Sequence, residues 1–439
     1  MRKHLILSVS VMTLMVAFTG CGNKTKVSLD KTTLSLLAGE IEKLAATVEP
    51  EDAGNKGVIW TSSNNGVATV TADGTVTAID SGTAIISATA QDGSKKAATC
   101  SLTVASIYAS GFEWNSNFTG VGTVWKNGSL LYKLVDGKHY TGANSVVVSG
   151  KDVYAAGYCG GHDYGDGEVG AVWKNGHVLH KSNLANEVES TGDNSVSIAV
   201  AGNDVYAVGG SEGITVWKNG NVLYGLTNEN YGPEGDDLAE CESIAVAGND
   251  VYAVGWGKNS QSKYVATVWK NGKVLYRLTD GNYHAFSYSV AVAGNDVYVV
   301  GCDGYKDFLE GNAVAMVWKN GNVLYKLTDG KRDARGYSIT VESNDIYVLG
   351  TEKNSQGKDV GTVWKNGHLL YRLGDGYFDT SGSSLTVLGN DVYVAGIDRN
   401  LRGKNVATVW KNGNVIYRLT DEKNKSLFTS VSVLWSNHI

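Results

Sequence analysis

From residue 105 onward, short stretches of alternating apolar and polar residues end at Gly, Asn or Asp, the pattern of β-strands joined by tight turns. The motif Val-Trp-Lys-Asn-Gly recurs seven times, with its tryptophan at positions 125, 173, 217, 269, 318, 364 and 410. Repeats of this length, with four short strands in each, are typical of the blades of a β-propeller. The pattern therefore predicts an all-β repeat architecture of seven units.

The fifth unit shows how each repeat divides into strands a to d. We predict strand a at residues 289–293, strand b at 296–301, strand c at 313–319 and strand d at 322–327. Asn320-Gly321 joins strands c and d, and Asn-Gly favours a two-residue type I′ turn. Gly294-Asn295 joins strands a and b and suits a type II′ turn. Gly202, Gly248 and Gly389 repeat this chemistry in other units, and Ser343 departs from it in the sixth.

The two ends of the repeat array are complementary. Residues 106–111 read as a strand b with no strand a before it, and residues 430–434 read as a strand a with no strand b after it. Pairing these two segments would complete the first blade and seal the ring, which removes exposed sheet edges. The sequence thus predicts a seven-bladed propeller of four-stranded blades, closed by the C-terminal strand.

Residues 27–104 carry a different set of short strands, among them 67–70, 76–78 and 84–88, with Trp60 as a predicted core residue. The segments Trp60-Thr61-Ser62-Ser63-Asn64 and Gly74-Thr75-Val76-Thr77-Ala78 resemble the bacterial Ig-like group 2 domain. The resemblance implies a small Ig-like β-sandwich. Such domains occur in bacterial adhesins and also as spacers in exported enzymes and glycan-binding proteins, so both roles stay open.

The first 20 residues have the organisation of an export signal. Arg2 and Lys3 precede a mostly apolar run, residues 5–18, that is too short to span a membrane. The run ends at Phe18-Thr19-Gly20-Cys21, which resembles the lipobox of bacterial lipoproteins and implies lipidation at Cys21. We expect a signal peptide at 1–20, a lipidated tether at 21–26, the Ig-like domain at 27–104 and the propeller at 105–439.

Composition narrows the class of function. The chain of 439 residues has 55 Gly, only 2 Pro and a formal charge of −6, with acidic and basic residues interspersed. No basic face for nucleic acid emerges. Cys100, Cys159, Cys241 and Cys302 lack the spacing of a zinc site or a disulfide framework, so we expect free thiols.

Three motifs resemble catalytic or metal-binding sites, but the predicted structure around each of them does not suit that role. Residues 209–213 match G-x-S-x-G but lie between two strands, whereas that motif acts on a strand-to-helix elbow. His177 and His180 lie three residues apart on a strand, so their side chains point to opposite faces and cannot bind one metal ion together. Residues 163–168 are rich in oxygen ligands, but Gly occupies positions where a calcium loop needs donors. We therefore predict no catalytic residue, no metal site and no cofactor.

In a four-stranded blade the b–c and d–a loops share one face, which we call the variable-loop face, and the a–b and c–d turns share the other, the turn face. Only the variable-loop face differs between blades, and binding residues concentrate on such loops. We predict that its aromatic and histidine side chains bind a ligand: Trp114, Tyr158, His162, Tyr164, Trp256, Tyr283, His284, Tyr305, Phe308, Tyr377 and Phe378.

The leading hypothesis is a monomeric, lipid-anchored surface protein that binds a glycan or an envelope or host surface protein, with a role in cell adhesion, and that contacts the membrane only through its anchor. One alternative is a carbohydrate-active hydrolase or lyase, because carboxylates from different blades could meet over the propeller channel as acid and base. The other is a structural scaffold of an envelope complex, bound through the turn face.

Overall fold

The computed structural model describes residues 25–50, 55–114, 120–135, 140–160, 169–181, 197–209, 214–226, 240–307, 311–377, 379–399, 405–418 and 426–434. Every regular element in these ranges is a β-strand, and none of their segments is a helix able to cross a membrane. The chain divides into two compact units, Met1–Ile79 with Thr83–Leu102, and Asp80–Gly82 with Thr103–Ile439.

The first unit is the Ig-like domain. Its strands pair as β1–β4, β3–β7–β6 and β5–β8–β9, with β2 also on β9. Leu37, Leu44, Val76 and Ile86 are buried at its centre, whereas Trp60 is only half-buried against a neighbouring cluster. The strands are β1 Lys26–Leu29, β2 Thr33–Leu37, β3 Ile41–Lys43, β4 Ala46–Glu49, β5 Val58–Ser62, β6 Ala68–Val70, β7 Thr75–Ala78, β8 Gly82–Ala90 and β9 Ala97–Trp114, of which the residues up to Leu102 belong here.

Within the described ranges the second unit contains six separate four-stranded antiparallel sheets, and β36, β9, β10 and β11 pair as a seventh set of four strands. These seven sets are the predicted blades. The later residues of β9 belong to blade 1 with β10 Gly120–Lys126 and β11 Ser129–Leu134. Blades 2 to 4 comprise β12 Tyr140–Ser149, β13 Asp152–Gly160, β14 Val169–Lys174 and β15 His177–Lys181; β16 Ser197–Ala201, β17 Asp204–Gly209, β18 Thr215–Lys218 and β19 Asn221–Gly225; and β20 Glu240–Ala247, β21 Asp250–Lys258, β22 Tyr264–Lys270 and β23 Lys273–Arg277.

The remaining blades repeat the same order of strands, and a single strand follows the last of them. They comprise β24 His284–Ala293, β25 Asp296–Tyr305, β26 Val314–Lys319 and β27 Asn322–Lys326 in blade 5; β28 Ala334–Glu342, β29 Asp345–Lys353, β30 Asp359–Lys365 and β31 His368–Arg372 in blade 6; β32 Thr380–Leu388, β33 Asp391–Arg399, β34 Asn405–Lys411 and β35 Asn414–Arg418 in blade 7; and finally β36 Ser426–Leu434.

The C-terminal strand closes the ring as the sequence predicts. β36 pairs antiparallel with β9, with Val431 opposite Ala109 and Val433 opposite Ile107, and so supplies strand a of blade 1. The a strands of neighbouring blades contact one another in the unbroken order β36, β12, β16, β20, β24, β28, β32 and back to β36. Blade 1 therefore has two halves from opposite ends of the chain, and the a strands form the inner ring of the propeller.

The turns follow the predicted chemistry. In all seven c–d turns Asn and Gly both have positive φ, as in Asn320 at 50° and Gly321 at 82°, which confirms the type I′ assignment. In blade 5, Gly294 at 60° is the only positive-φ residue of the a–b turn, as type II′ requires. Blade 6 differs, because Ser343 and Asn344 both have positive φ there and form a type I′ turn instead.

A polar cluster holds the turn face together in blades 2 to 7. In blade 5 the Asn320 amide donates to Asp296 over 2.7 Å and accepts from the backbone NH of Val297 over 2.8 Å. The Lys319 ammonium lies 2.7 Å from Asp296 and 5.1 Å from the centre of the Tyr298 ring. Each lysine of this motif is thus already neutralised by a carboxylate of its own blade.

A glycine in strand b meets a β-bulge in strand a of the same blade. Gly350 lies opposite Gly336, and the next pair is Leu349 with Ser338, so Tyr337 is left unpaired. A Cβ on Gly350 would lie 1.9 Å from the carbonyl oxygen of Arg335, which no side chain tolerates. Gly157, Gly255, Gly301 and Gly396 show the same approach, at 1.8–2.1 Å. Only glycine therefore allows strand a to bulge at this level.

We expect Gly350→Ala to lower the free energy of unfolding of the propeller by about 2 kcal/mol or more, because its methyl group overlaps a backbone carbonyl that cannot move away alone. Differential scanning calorimetry measures the effect. Gly225→Ala is the matched control, since its nearest neighbour lies 3.8 Å from the added Cβ, and it should leave the transition unchanged or slightly raised. Equal melting of the two variants would show that the close approach does not matter.

Candidate functional site

The variable-loop face is formed where each strand b ends and the next strand a begins. Along strand a the bulged position changes from blade to blade, and it is followed by a serine each time. The hydroxyls of Ser289 and Ser338 accept backbone NH groups of the next blade, from Ile339 over 3.4 Å and Leu385 over 3.1 Å. The serine thus joins blades, while the bulged residue is free to vary: Asn144, Glu242, Tyr288, Tyr337 and Ser383.

Blades 4, 5 and 6 bring six aromatic side chains together at this face. Phe286 lies at the centre, with ring centroids 5.0 Å from Trp256, 5.7 Å from Tyr264 and 6.2 Å from Tyr305. Tyr288 packs edge-on against Trp256 at 5.6 Å and against Tyr337 of the next blade at 5.4 Å. We call these residues the aromatic cluster. Edge-to-face contacts of this kind fix each ring in one orientation.

Arg335 places a positive charge beside the aromatic cluster. Its Nε donates to the Tyr305 hydroxyl over 2.7 Å, and its guanidinium lies 5.3 Å from the centre of that ring. The Tyr305 hydroxyl donates to Asp333 over 2.5 Å, and Asp333 also accepts the backbone NH of Ala313 over 3.1 Å. Burial raises the pKa of Tyr288 and of Tyr337, so both phenols are neutral at physiological pH. Arg335 also lies 3.4 Å from Asp333, so the neutral phenols lie beside an ion pair.

His284 has a structural task at this face. Its Nδ1 accepts the backbone NH of Tyr264 over 3.1 Å, just as Asp333 and Asp379 accept the NH groups of Ala313 and Asp359 in the following blades. Burial, followed by the charge of Lys263, lowers the pKa of His284, which keeps its imidazole neutral. The histidine therefore connects its blade to the preceding one by a hydrogen bond.

The predicted ligand-binding residues fall into three groups. Tyr283 and Tyr377 are exposed, at 46% and 70% of their surface. Trp256, His284 and Tyr305 are buried, and Tyr158 is half-buried against Tyr140. Trp114 is the last residue of β9. The other predicted ligand-binding residues lie outside the described residues, namely His162, Tyr164, Phe308 and Phe378, as does the predicted lipidation site Cys21.

The burial of three predicted residues changes their expected role. Trp256 and Tyr305 support the aromatic cluster from within, so truncating either would alter stability as well as any binding. Sequence reasoning did not select Tyr288, Tyr337 or Arg335, which lie on strand a and not on a loop. The signal that could have identified them is their position, at or just before the variable residue that precedes the repeated serine.

Carboxylates also meet at this face. Burial, and next the charge of Asp280, raises the pKa of Asp303. In blade 7 burial raises the pKa of Asp398, with Asp375 adding to it and Arg418 opposing it from 2.9 Å. Asp303 and Asp398 occupy equivalent positions, each two residues after the strand-b glycine. The described residues include no group of three or more His, Cys, Asp or Glu side chains placed to hold a metal ion.

Comparison with curated proteins gives short matches only. The chain is 39% identical over 80 residues to each of two uncharacterised proteins of Clostridium acetobutylicum, of which it covers 8% and 20%. It is 52% identical over 64 residues to an α-L-arabinofuranosidase of Bifidobacterium longum subsp. longum, of which it covers 6%. These matches span 15–18% of the chain, so they describe a segment and not the whole protein.

Two solved structures are similar to the chain at 17% identity. One is the WD40 β-propeller domain of Doa1, with a TM-score of 0.41 over 68% of this chain and 88% of that one. The other is a computationally designed protein, with a TM-score of 0.39 over 85% of this chain and 98% of that one. Residues 24–101 match the family model of the bacterial Ig-like domain (group 2), which supports the Ig-like domain predicted from the sequence.

Proposed function

We propose that this protein is a lipid-anchored surface protein that binds a glycan through the variable-loop face of blades 4 to 7. The observation that carries the proposal is the exposure of Tyr283 and Tyr377, at 46% and 70%, on corresponding loops of the propeller. Both loops begin with Asp-Gly and lead into a strand a. Tyrosine combines an apolar ring that stacks on a sugar face with a hydroxyl that hydrogen-bonds to it.

The loops that present these tyrosines are held in place. Asp375 accepts the backbone NH of Tyr377 over 3.0 Å, and the Asn354 amide donates to the carbonyl of Gly376 over 2.8 Å. The Asn259 amide donates in the same way to Gly281, two residues before Tyr283, over 2.9 Å. A ligand that meets preorganised side chains loses less conformational entropy on binding.

The carbohydrate-active enzyme is the alternative, and the raised pKa of Asp303 is the observation that favours it. The equivalent Asp398 also has a raised pKa, which indicates that the repeat itself builds this carboxylate position. A catalytic pair would be expected in one place only. The envelope scaffold has less support, because the turn-face lysines already face carboxylates at 2.6–3.1 Å in blades 2 to 7.

Replacing both Tyr283 and Tyr377 with Ala should weaken glycan binding at least about tenfold, because stacking rings usually dominate such sites. Affinity gel electrophoresis with galactan, arabinan and polygalacturonate measures it. The melting temperature should stay within about 1 °C, since truncating exposed side chains changes stability little. Tyr283→Trp with Tyr377→Trp should keep binding, and Val222→Ala, an exposed residue of β19, should change nothing. Unaltered binding by the Ala variant would refute the placement of the site.

Asp303→Asn should raise the melting temperature at pH 7, because it removes a half-buried negative charge near Asp280. The folded-state pKa of Asp303 lies above its unfolded value of 3.8, so its ionisation costs stability at neutral pH and not in acid. The difference in melting temperature should therefore shrink as the pH falls toward 4. Asp398→Asn should gain less, because it also removes the ion pair with Arg418. Loss of a measured glycan-hydrolysing activity in Asp303→Asn would instead support the enzyme.

Cys21→Ala should abolish lipidation and move the protein from the membrane fraction to the exported fraction free of membranes. Metabolic labelling with palmitate, followed by fractionation, measures both effects. Cys100→Ala is the control, because that thiol is buried and unpaired in the Ig-like domain. Palmitate label on the Cys21→Ala protein would show that the anchor lies elsewhere.

A further inference from the structure

A cavity of about 380 Å³ opens between the loop that follows β27 and the outer strands of blade 6. Asp329, Lys331 and Arg332 contribute to it from the loop, and Glu352, Trp364 and Arg372 from blade 6. We call this cavity the 329–332 groove. Its volume lies within the range of pockets that bind small molecules.

Positive charge exceeds negative charge in the 329–332 groove. Lys331 lies 2.7 Å from Asp329, and Arg372 lies 3.0 Å from Glu352, so each of these cations has a carboxylate partner. Arg332 is exposed and has no carboxylate within ion-pair distance in the part of the chain that the structure describes. A guanidinium in this situation offers planar, paired donors to an incoming anion.

Arg332 does not come from the repeat, whereas Lys331 has a counterpart in Lys138, which follows Asp136-Gly137 between β11 and β12. Lys331 and Arg332 follow an Asp-Gly pair, and the same two positions are Asn282 and Tyr283 in the preceding loop. In the following loop the first of them is Tyr377. The exposed tyrosines of the proposed glycan site thus lie on the loops before and after the one that carries Lys331 and Arg332. A charged position between two stacking positions suits a polymer that is both a carbohydrate and an anion.

We propose that the 329–332 groove binds an anionic substituent of the glycan, a carboxylate or a sulfate, with Arg332 as its main partner. This inference rests on the proposed glycan binding and names the class of glycan. Arg332 forms charge-assisted hydrogen bonds with the anion, Lys331 adds attraction, and the tyrosines of the neighbouring loops stack on the adjacent sugar rings.

The test compares three oligosaccharide probes by isothermal titration calorimetry on the full exported chain: an oligogalacturonate, its methyl ester and a sulfated galactan fragment. We expect the wild-type protein to bind at least one of the two acidic probes about tenfold more tightly than the neutral ester, a difference of about 1.4 kcal/mol. Which acidic probe binds better distinguishes carboxylate from sulfate. Arg332→Gln should remove this preference. Lys273→Gln, which removes one exposed positive charge from the turn end of β23, should keep it.

Each other outcome overturns a defined part of the proposal. Equal affinity for the acidic and neutral probes would refute the anionic ligand and leave glycan binding standing. A preference that survives in Arg332→Gln would refute the groove as its origin. If Lys273→Gln also lost the preference for acidic probes, that preference would come from the net charge of the protein and not from the groove. No binding of any probe would overturn the anionic ligand and the glycan site together.

Discussion

The propeller depends on the close approach of strand a to a glycine of strand b. At Gly157, Gly255, Gly301, Gly350 and Gly396 a carbonyl oxygen of strand a lies where a Cβ would be, within 1.8–2.1 Å of it. The approach lets strand a bulge, and the bulge releases one residue from the ladder in each of these five blades. The serine after it bonds to the next blade. One constraint thus fixes the scaffold and leaves the adjacent position free to change.

The invariant and the variable positions lie on different faces of the propeller. On the turn face of blades 2 to 7, the Asp, Asn and Lys of the repeated motif bond to one another within their own blade, and the Lys ammonium also covers a Tyr ring, as in blade 5. These ion pairs are partly exposed and add little stability individually. Their repetition makes this cluster the same in six of the seven blades. Recognition of a specific ligand requires such differences, and these lie at the bulges and in the loops.

Local sequence rules predict the strands, the turns and the closure of the ring, because an Asn-Gly turn or an orphan strand is encoded within a few residues. They do not predict that Trp256 and Tyr305 are buried while Tyr283 and Tyr377 are exposed. That outcome depends on Phe286, which lies on a different blade from Trp256 and packs against both buried rings. The importance of Tyr288 and Tyr337 was missed for a related reason, since a bulge shifts the alternation of the strand in which it lies.

The blades differ in their aromatic and cationic side chains, and this difference bears on the ligand that we propose. Blades 4 to 6 supply the aromatic cluster and Arg335. The loops around blades 5 and 6 supply exposed tyrosines and Arg332, which has no carboxylate partner among the described residues. A purely apolar partner would leave Arg332 without a counter-charge and would desolvate it at a cost. A neutral sugar would stack on the tyrosine rings but would supply no counter-charge to the Arg332 guanidinium. The ligand that we propose, an acidic polysaccharide, alternates ring faces with negative charge along its length and so matches both features.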